Sequence, residues 1–239
     1  MEWSIAILAA VVGYAFGSIS FARILARIFL PGEDISQTEF DIPGSDQKFV
    51  MESVSATSLS ARKGPKAGCS TGILDMVKAA VPILGFRYFY PEADYFLLTA
   101  VFTVIGHNFP IQHRFKGGRG LSPIIGGMFV IDWLFVPISF ILSNLFGLAI
   151  VRDMFVGYTS FVVLLIPWVW YRFNDPAYIL YAVAINIVFW VSMRPELTMY
   201  LKYKRSGEIN RSDFLQSLEG TDAGRAIKYA RKYGLLKDE

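Results

Sequence analysis

Long apolar runs separated by short polar connections set the character of this chain. A helix that crosses a bilayer needs about 20 mainly apolar residues, and residues 3–22, 71–89, 95–112, 133–151, 154–171 and 177–193 match that length or come close to it. Each predicts a membrane-spanning helix. Residues 120–132, GLSPIIGGMFVID, are apolar but short and rich in glycine, which predicts a half-span packed inside protein. Beyond residue 194 the pattern turns polar, with helical spacing at Phe214, Leu215, Leu218, Ala226, Tyr229 and Ala230. The chain thus divides into a transmembrane part, 1–194, and a small amphipathic helical tail, 195–239.

Composition agrees with lipid as the solvent. The chain is 54% hydrophobic and 18% charged, with a mean hydropathy of +0.42, outside the balance of a soluble domain of this size. Its single cysteine, Cys69, excludes an internal disulfide and a thiolate cluster. Two histidines leave little scope for zinc, so no metal or cofactor is expected. Nothing in the small net charge of +3 calls for a nucleic-acid partner. The first apolar run has no basic residue before it and no small-residue cleavage pattern after it, so it reads as a retained span rather than a signal peptide.

Charge placement sets the expected topology. The connection 23–70 carries Arg23, Arg27, Lys48, Arg62, Lys63 and Lys66, and the connection 113–120 carries Arg114, Lys116 and Arg119, whereas 90–94 has no basic residue. Basic loops stay in the cytoplasm, which places the N-terminus outside. From Arg194 onward ten basic residues stand against seven acidic, which places the tail inside. An outside start and an inside finish need an odd number of crossings, so 120–132 completes a seventh, shortened one. The expected fold is an all-α polytopic bundle of about seven spans in the cell (inner) membrane, with a cytoplasmic amphipathic tail. Lys228, Arg231 and Lys232 would hold that tail to anionic lipid.

The segment 106–120, GHNFPIQHRFKGGRG, is the most informative for chemistry. Glycines let a backbone approach a phosphate and offer its N–H groups, and Lys116 and Arg119 would neutralise the charge. A helix N-terminus follows, which adds to an anion site. The plainer reading is that these cations only set topology and touch lipid head groups. A second basic, glycine-rich stretch, 55–72, offers hydroxyls on Ser55, Thr57, Ser58 and Ser60 and a bidentate cation in Arg62. Here the alternative is a solvated linker. Asp75 and Lys78, spaced i, i+3, share a helix face and suit either a functional pair or an ion pair that sews helices together. His107 has the chemistry of a general base, but no carboxylate stands at a telling spacing to orient it, and a hydrogen bond to a neighbouring helix is the plainer role. His113 reads as interfacial and Cys69 as a packing residue. Gly13 and Gly17 make a GxxxG spacing for close helix contact.

Three segments together resemble the bacterial acyl-phosphate glycerol-3-phosphate acyltransferases, the PlsY family. That family carries Gly-Ser-Ile-Pro-Phe-Gly in its first span, and residues 17–22 read GSISFA. Its Gly-His-x-Phe-Pro and Phe-Lys-Gly-Gly-Lys-Gly motifs are matched by GHNFP and FKGGRG within 106–120. Its middle loop, Gly-Ser-Gly-Asn-x-Gly-Ala-Thr-Asn with an Arg beyond, survives as SATSLSAR at 55–62, and LDMVKAAVP resembles its Asp-x-x-Lys helix. In place of an intact Gly-Ser-Gly-Asn there are two candidate serines, Ser45 and Ser53, separated by what reads as an insertion. The motif's second Asn becomes Ser58, the Arg falls one place late at Arg62, and the terminal Arg-His-x-x-Asn is replaced from Arg194 to Thr198.

The resemblance implies a bundle of seven spans. It implies an acyl phosphate as donor and the 1-hydroxyl of glycerol 3-phosphate as acceptor, in contact with membrane lipid, giving lysophosphatidate and phosphate. On that reading Lys116, Arg119 and the turn Gly117, Gly118 and Gly120 grip one phosphate, and Arg62 with Ser53, Ser55, Thr57 or Ser58 grips the other. Ser18 belongs to the first motif, and His107 or a substrate phosphate takes the proton. The altered motifs leave two rivals: a transferase for another phosphorylated acceptor, and a non-catalytic protein that binds lipid or a partner.

Overall fold

The first apolar run folds as two successive helices, α1 (Trp3–Ser18) and α2 (Phe21–Phe29), in a computed structural model that describes residues 2–41, 48–151 and 153–206. They are separated at Ile19 and Ser20, where the backbone is extended and the Ser20 hydroxyl accepts the Arg23 N–H to start α2. A helix broken inside lipid leaves carbonyls that need donors. Gln112 donates to the Ser18 carbonyl and Lys78 to the Ile19 carbonyl, each at 2.5 Å. The sequence expectation ended this span at 22, but α2 carries it to Phe29 because Ala22 and Ala26 bury one face of the added helix.

α1 lies along α5 (Tyr95–Asn108) at a distance set by glycine. A Cβ on Gly13 would stand 2.5 Å from the Thr99 carbonyl oxygen, and one on Gly17 would overlap the Thr103 carbonyl. Gly106 fits the Tyr14 carbonyl from the other side in the same way. The GxxxG spacing does what its pattern predicts.

Beside this pair runs α4 (Pro65–Phe89), with the short α6 (Leu121–Ile131) against it. Gly126 of α6 seats on the Met76 backbone, so the glycine-rich half-span is housed in protein as expected. At its far end Arg87 donates to the Val130 and Ile131 carbonyls. The Asp132 carboxylate there accepts from Trp168 at 3.1 Å and Arg172 at 2.9 Å. α7 (Phe135–Asn144) runs through a π-helical segment, Leu145–Val151, and leads to α8 (Met154–Val163), α9 (Leu165–Phe173), α10 (Pro176–Ser192) and α11 (Arg194–Ser206). Among the described residues three helical stretches, 3–29, 65–89 and 155–173, are long and apolar enough to cross a membrane, with a fourth if α10 and α11, bent by 63°, count together. Ile83, Ile124, Phe135, Leu165, Ile185 and Phe189 fill the core, while Trp3, Val11, Phe89 and Tyr171 face outward, as a lipid-solvated bundle requires.

The all-α expectation needs one correction. Within the basic connection 23–70, β1 (Thr38–Asp41) pairs antiparallel with β2 (Lys48–Met51) in the register Thr38 with Met51 and Glu39 with Val50. Four-residue strands carry too little alternation to stand out from a loop, and this hairpin draws support from α11, whose Tyr203 hydroxyl donates to the Lys48 carbonyl at 3.2 Å. Ser45 and the tail positions from Phe214 to Lys232 lie outside the described residues.

Candidate functional site

α5 ends at Asn108, and the chain reverses through Arg114 and Phe115, both with left-handed backbone at φ 52° and 60°. It then runs through Lys116, Gly117, Gly118 and Arg119 to Gly120, whose φ of +87° begins α6. The Gly118 N–H donates to the His107 carbonyl at 3.1 Å. A Cβ on Gly117 would overlap that carbonyl, and one on Gly118 would fall on the His107 ring at Nε2, so only glycine lets the turn lie this close. Lys116 is exposed, and its ammonium has no partner among the described residues. Its carbonyl accepts from Arg23 at 3.0 Å. The first-turn amides of α6, Leu121 and Ser122, also take no partner among the described residues, as the open end of a helix provides.

The second loop meets this turn. Val54 donates its N–H to the Gly117 carbonyl at 3.1 Å, which sets Ser53 and Ser55 beside the glycines. Their hydroxyl oxygens are 3.5 Å apart. Ser55 also caps α3 (Ala56–Lys63) in a reciprocal box with Ser58, whose own hydroxyl donates to the Ser53 carbonyl at 2.5 Å. Thr57 is exposed.

Behind the turn, three ionisable side chains meet in the interior. Lys78 Nζ lies 2.7 Å from Asp75 Oδ1 and 3.0 Å from His107 Nδ1, and Asp75 Oδ1 is 3.7 Å from that nitrogen. All three are buried. Sequence spacing showed no group to orient His107, because its partners come from α4 across a helix–helix contact. Ser18 Oγ, Arg23 Nε and both amide atoms of Asn108 are buried without a partner among the described residues. Asn108 backs onto Gly120, where a Cβ would stand 2.8 Å from its Oδ1. Arg23 and Asn108 were not singled out for chemistry, and an Arg just after the first motif and the variable position of GHNFP are the signals that mark them.

Two expected cations are otherwise engaged. Arg62 donates to Thr38 Oγ1 at 2.8 Å, to the Asp34 carbonyl at 3.2 Å, to the Ser58 carbonyl at 3.3 Å and to the Gln37 carbonyl, which ties α3 to the hairpin. Arg119 forms a buried ion pair with Glu196 of α11, its Nε 2.8 Å from Oε1. His113 lies outside this cluster, its imidazole pushed below the usual value by partial burial and by the charges of Arg23 and Arg27. Cys69, expected to pack, is exposed on α4, because Gly68 beside it makes the contact with α3.

A family model described as glycerol-3-phosphate acyltransferase matches residues 7–203. The chain belongs to that family. It is 31% identical over 168 residues to the glycerol-3-phosphate acyltransferase of Ehrlichia chaffeensis, covering 70% of this chain and 80% of the relative. To the enzyme of the same name from Erythrobacter litoralis it is 33% identical over 182 residues, covering 76% and 84%. The crystal structure of PlsY (YgiH), an integral membrane glycerol 3-phosphate acyltransferase in its glycerol 3-phosphate form, matches with a TM-score of 0.69 at 21% identity. That match covers 86% of this chain and 94% of that one. The lysophosphatidic acid form matches equally well, at 0.69. The glycerol-3-phosphate acyltransferase fold therefore extends over most of the chain, and the family match takes in α11 as well as the glycine turn.

Proposed function

We propose that this protein transfers an acyl group from an acyl phosphate to the 1-hydroxyl of glycerol 3-phosphate, yielding lysophosphatidate and inorganic phosphate. The observation that carries the reading is the junction of the two loops. The Lys116 ammonium and the amides that start α6, without partners among the described residues, and the Ser53–Ser55 hydroxyl pair share one end of the bundle through the Val54–Gly117 bond. An acyl phosphate is already a mixed anhydride, so its acyl carbon needs no protein nucleophile. What it needs is a hold on two anions and an aligned hydroxyl.

Lys116, the turn Gly117–Gly118 and the α6 amides hold the donor phosphate, and Ser53 and Ser55 orient the second anion. Ser18, Asn108 and Arg23 supply buried donors at the edge of the same site. Arg62 and Arg119 act here as the braces of the two loops, through the hairpin and through Glu196. The bundle crosses the inner membrane seven times with its N-terminus outside, so this end and the tail face the cytoplasm, where phosphorylated substrates are dissolved. The basic residues of 23–70 and 113–120 support that orientation.

Purified protein in detergent, given acyl phosphate with and without glycerol 3-phosphate, tests the reading. Acceptor-dependent phosphate release is expected, with no turnover of an acyl thioester. Release driven only by another phosphorylated alcohol selects a related transferase, a reading that the commitment of Arg119 to Glu196 favours. Absence of release with any acceptor removes the enzymatic reading.

A further inference from the structure

α1 and α2 together form a helical stretch of 27 residues from Trp3 to Phe29, which at 1.5 Å per residue is about 40 Å long. The hydrocarbon core of a bilayer is about 30 Å thick, so about 20 of these residues cross it. Trp3 is 81% exposed, and tryptophan favours the membrane–water boundary. With Trp3 at one boundary, the other falls at about residue 23. α2 therefore lies at head-group depth, at the end of the bundle that holds the glycine turn. Its faces suit that depth. Ala22, Ala26 and Leu30 pack inward, Arg23 and Arg27 form one strip at helical spacing, and the exposed Ile24 and Ile28 form the next.

The turn after α5 lies against the arginine strip. Arg23 donates to the Lys116 carbonyl at 3.0 Å, and His113 stands in the field of both Arg23 and Arg27. Ile111, Arg114 and Phe115 are exposed on this turn. Arg114 and Phe115 hold left-handed backbone at φ 52° and 60° although neither is glycine, a conformation unfavourable for an L side chain. The side chains of Arg27 and Arg114 have no partner among the described residues. Asp34, the carboxylate that faces Arg23, is already bonded to the Ser36 N–H and hydroxyl, each at 2.8 Å. Cationic and apolar side chains thus share one exposed surface at head-group depth.

We propose that α2 and the turn 111–115 form a docking surface for anionic phospholipid of the adjoining leaflet, with Arg27 and Arg114 on the charged head groups and Ile24, Ile28, Ile111 and Phe115 entering the acyl region beside them. An interfacial helix binds by this combination of buried apolar area and attraction to anionic lipid. The contact is separate from the hold on substrate phosphate assigned to Lys116 and the α6 amides, and it does not depend on the acyl-transfer reading. Because Arg23 ties α2 to the Lys116 carbonyl, the leaflet also sets the depth at which the glycine turn stands.

The test uses full-length protein in phosphatidylcholine vesicles that carry spin-labelled phosphatidylglycerol or spin-labelled phosphatidylcholine, and reads the fraction of label that the protein immobilises. Wild type is expected to prefer the anionic label about fivefold or more, the scale of one cation near a charged leaflet. It should lose most of that preference in about 0.5 M salt, where screening is strong. Arg27→Gln with Arg114→Gln should reduce the preference about fivefold and leave melting in neutral detergent as in wild type. Lys202→Gln with Arg205→Gln, which removes two exposed cations of α11, should keep the preference. Equal retention of the two labels by wild type overturns the proposal, as does a preference that survives the arginine changes. Loss of the preference in Lys228→Gln, Arg231→Gln, Lys232→Gln instead assigns the lipid to the tail and overturns it too. Displacement of the anionic label by an equal concentration of inorganic phosphate marks a site for the free anion, and the lipid surface falls.

Discussion

Val54 gives its backbone N–H to the carbonyl of Gly117 at 3.1 Å, and that bond holds the serine segment against the glycine turn. Gly118 is bonded in turn to the His107 carbonyl, which ties the turn to the end of α5.

Among the described residues the Lys116 ammonium has no partner at this junction. Lys116→Ala should therefore lower glycerol 3-phosphate-dependent phosphate release by about 100-fold or more while leaving membrane insertion and thermal unfolding unchanged. Retained turnover in a correctly inserted variant would take Lys116 out of the site.

The glycines differ in what surrounds them. Gly118→Ala forces the His107 ring out of its seat, whereas Gly85, on α4, has open space where a Cβ would go. Gly118→Ala should destabilise by about 1–3 kcal/mol, the usual cost of overpacking, and abolish activity. Gly85→Ala should be neutral or slightly stabilising. Melting curves in detergent and the phosphate-release assay separate the two.

The Arg119–Glu196 pair is buried, with side chains 14% and 4% exposed. Removing one partner of such a pair leaves an uncompensated charge and costs about 3–5 kcal/mol, whereas removing both costs less. Glu196→Leu alone should lower the melting temperature more than the double variant Arg119→Met with Glu196→Leu. A double-mutant cycle with no coupling would show the contact to be energetically idle.

Asp153 caps α8 and accepts from Tyr200 and from Lys204, the latter at 3.1 Å. Burial works against its charge, yet the hydrogen bonds from Tyr200, Lys204 and the Val156 amide hold the carboxyl below its ordinary value of 3.8. A carboxyl lowered in the folded state stabilises fully above the unfolded value, and that contribution is lost as pH falls through the folded one. The gap in melting temperature between wild type and Asp153→Asn should hold steady at neutral pH and narrow on acidification toward about pH 3. A gap that widens on acidification would reverse the assignment.

Much of this architecture is legible in the chain because it depends on local pattern. Gly13 and Gly17 announce close contact by their spacing, and the Gly126–Gly127 pair marks a half-span that needs protein around it. The glycine turn also announces itself, since few sequences crowd glycines around a lysine without a reason in backbone approach. The roles of individual cations are less legible. Arg62 and Arg119 look like Lys116 in sequence, and what separates them is whether Gln37, Asp34 or Glu196 reaches them in space. His107 had no visible partner for the same reason, because a contact between α4 and α5 carries no sequence spacing of its own. The hairpin was hidden by brevity, its strands being four residues each.

The spacing of Asp75 and Lys78 bears on how the chain enters the bilayer. His107, another partner of Lys78, belongs to a segment made after α4, so it is not yet in place when that helix partitions. Its own carboxylate one turn away, at 2.7 Å in the finished bundle, already offsets the lysine charge. An α4 with Asp75 neutralised should therefore insert less efficiently even where the assembled bundle would tolerate the change, which makes this ion pair a device of biogenesis as well as of the finished bundle.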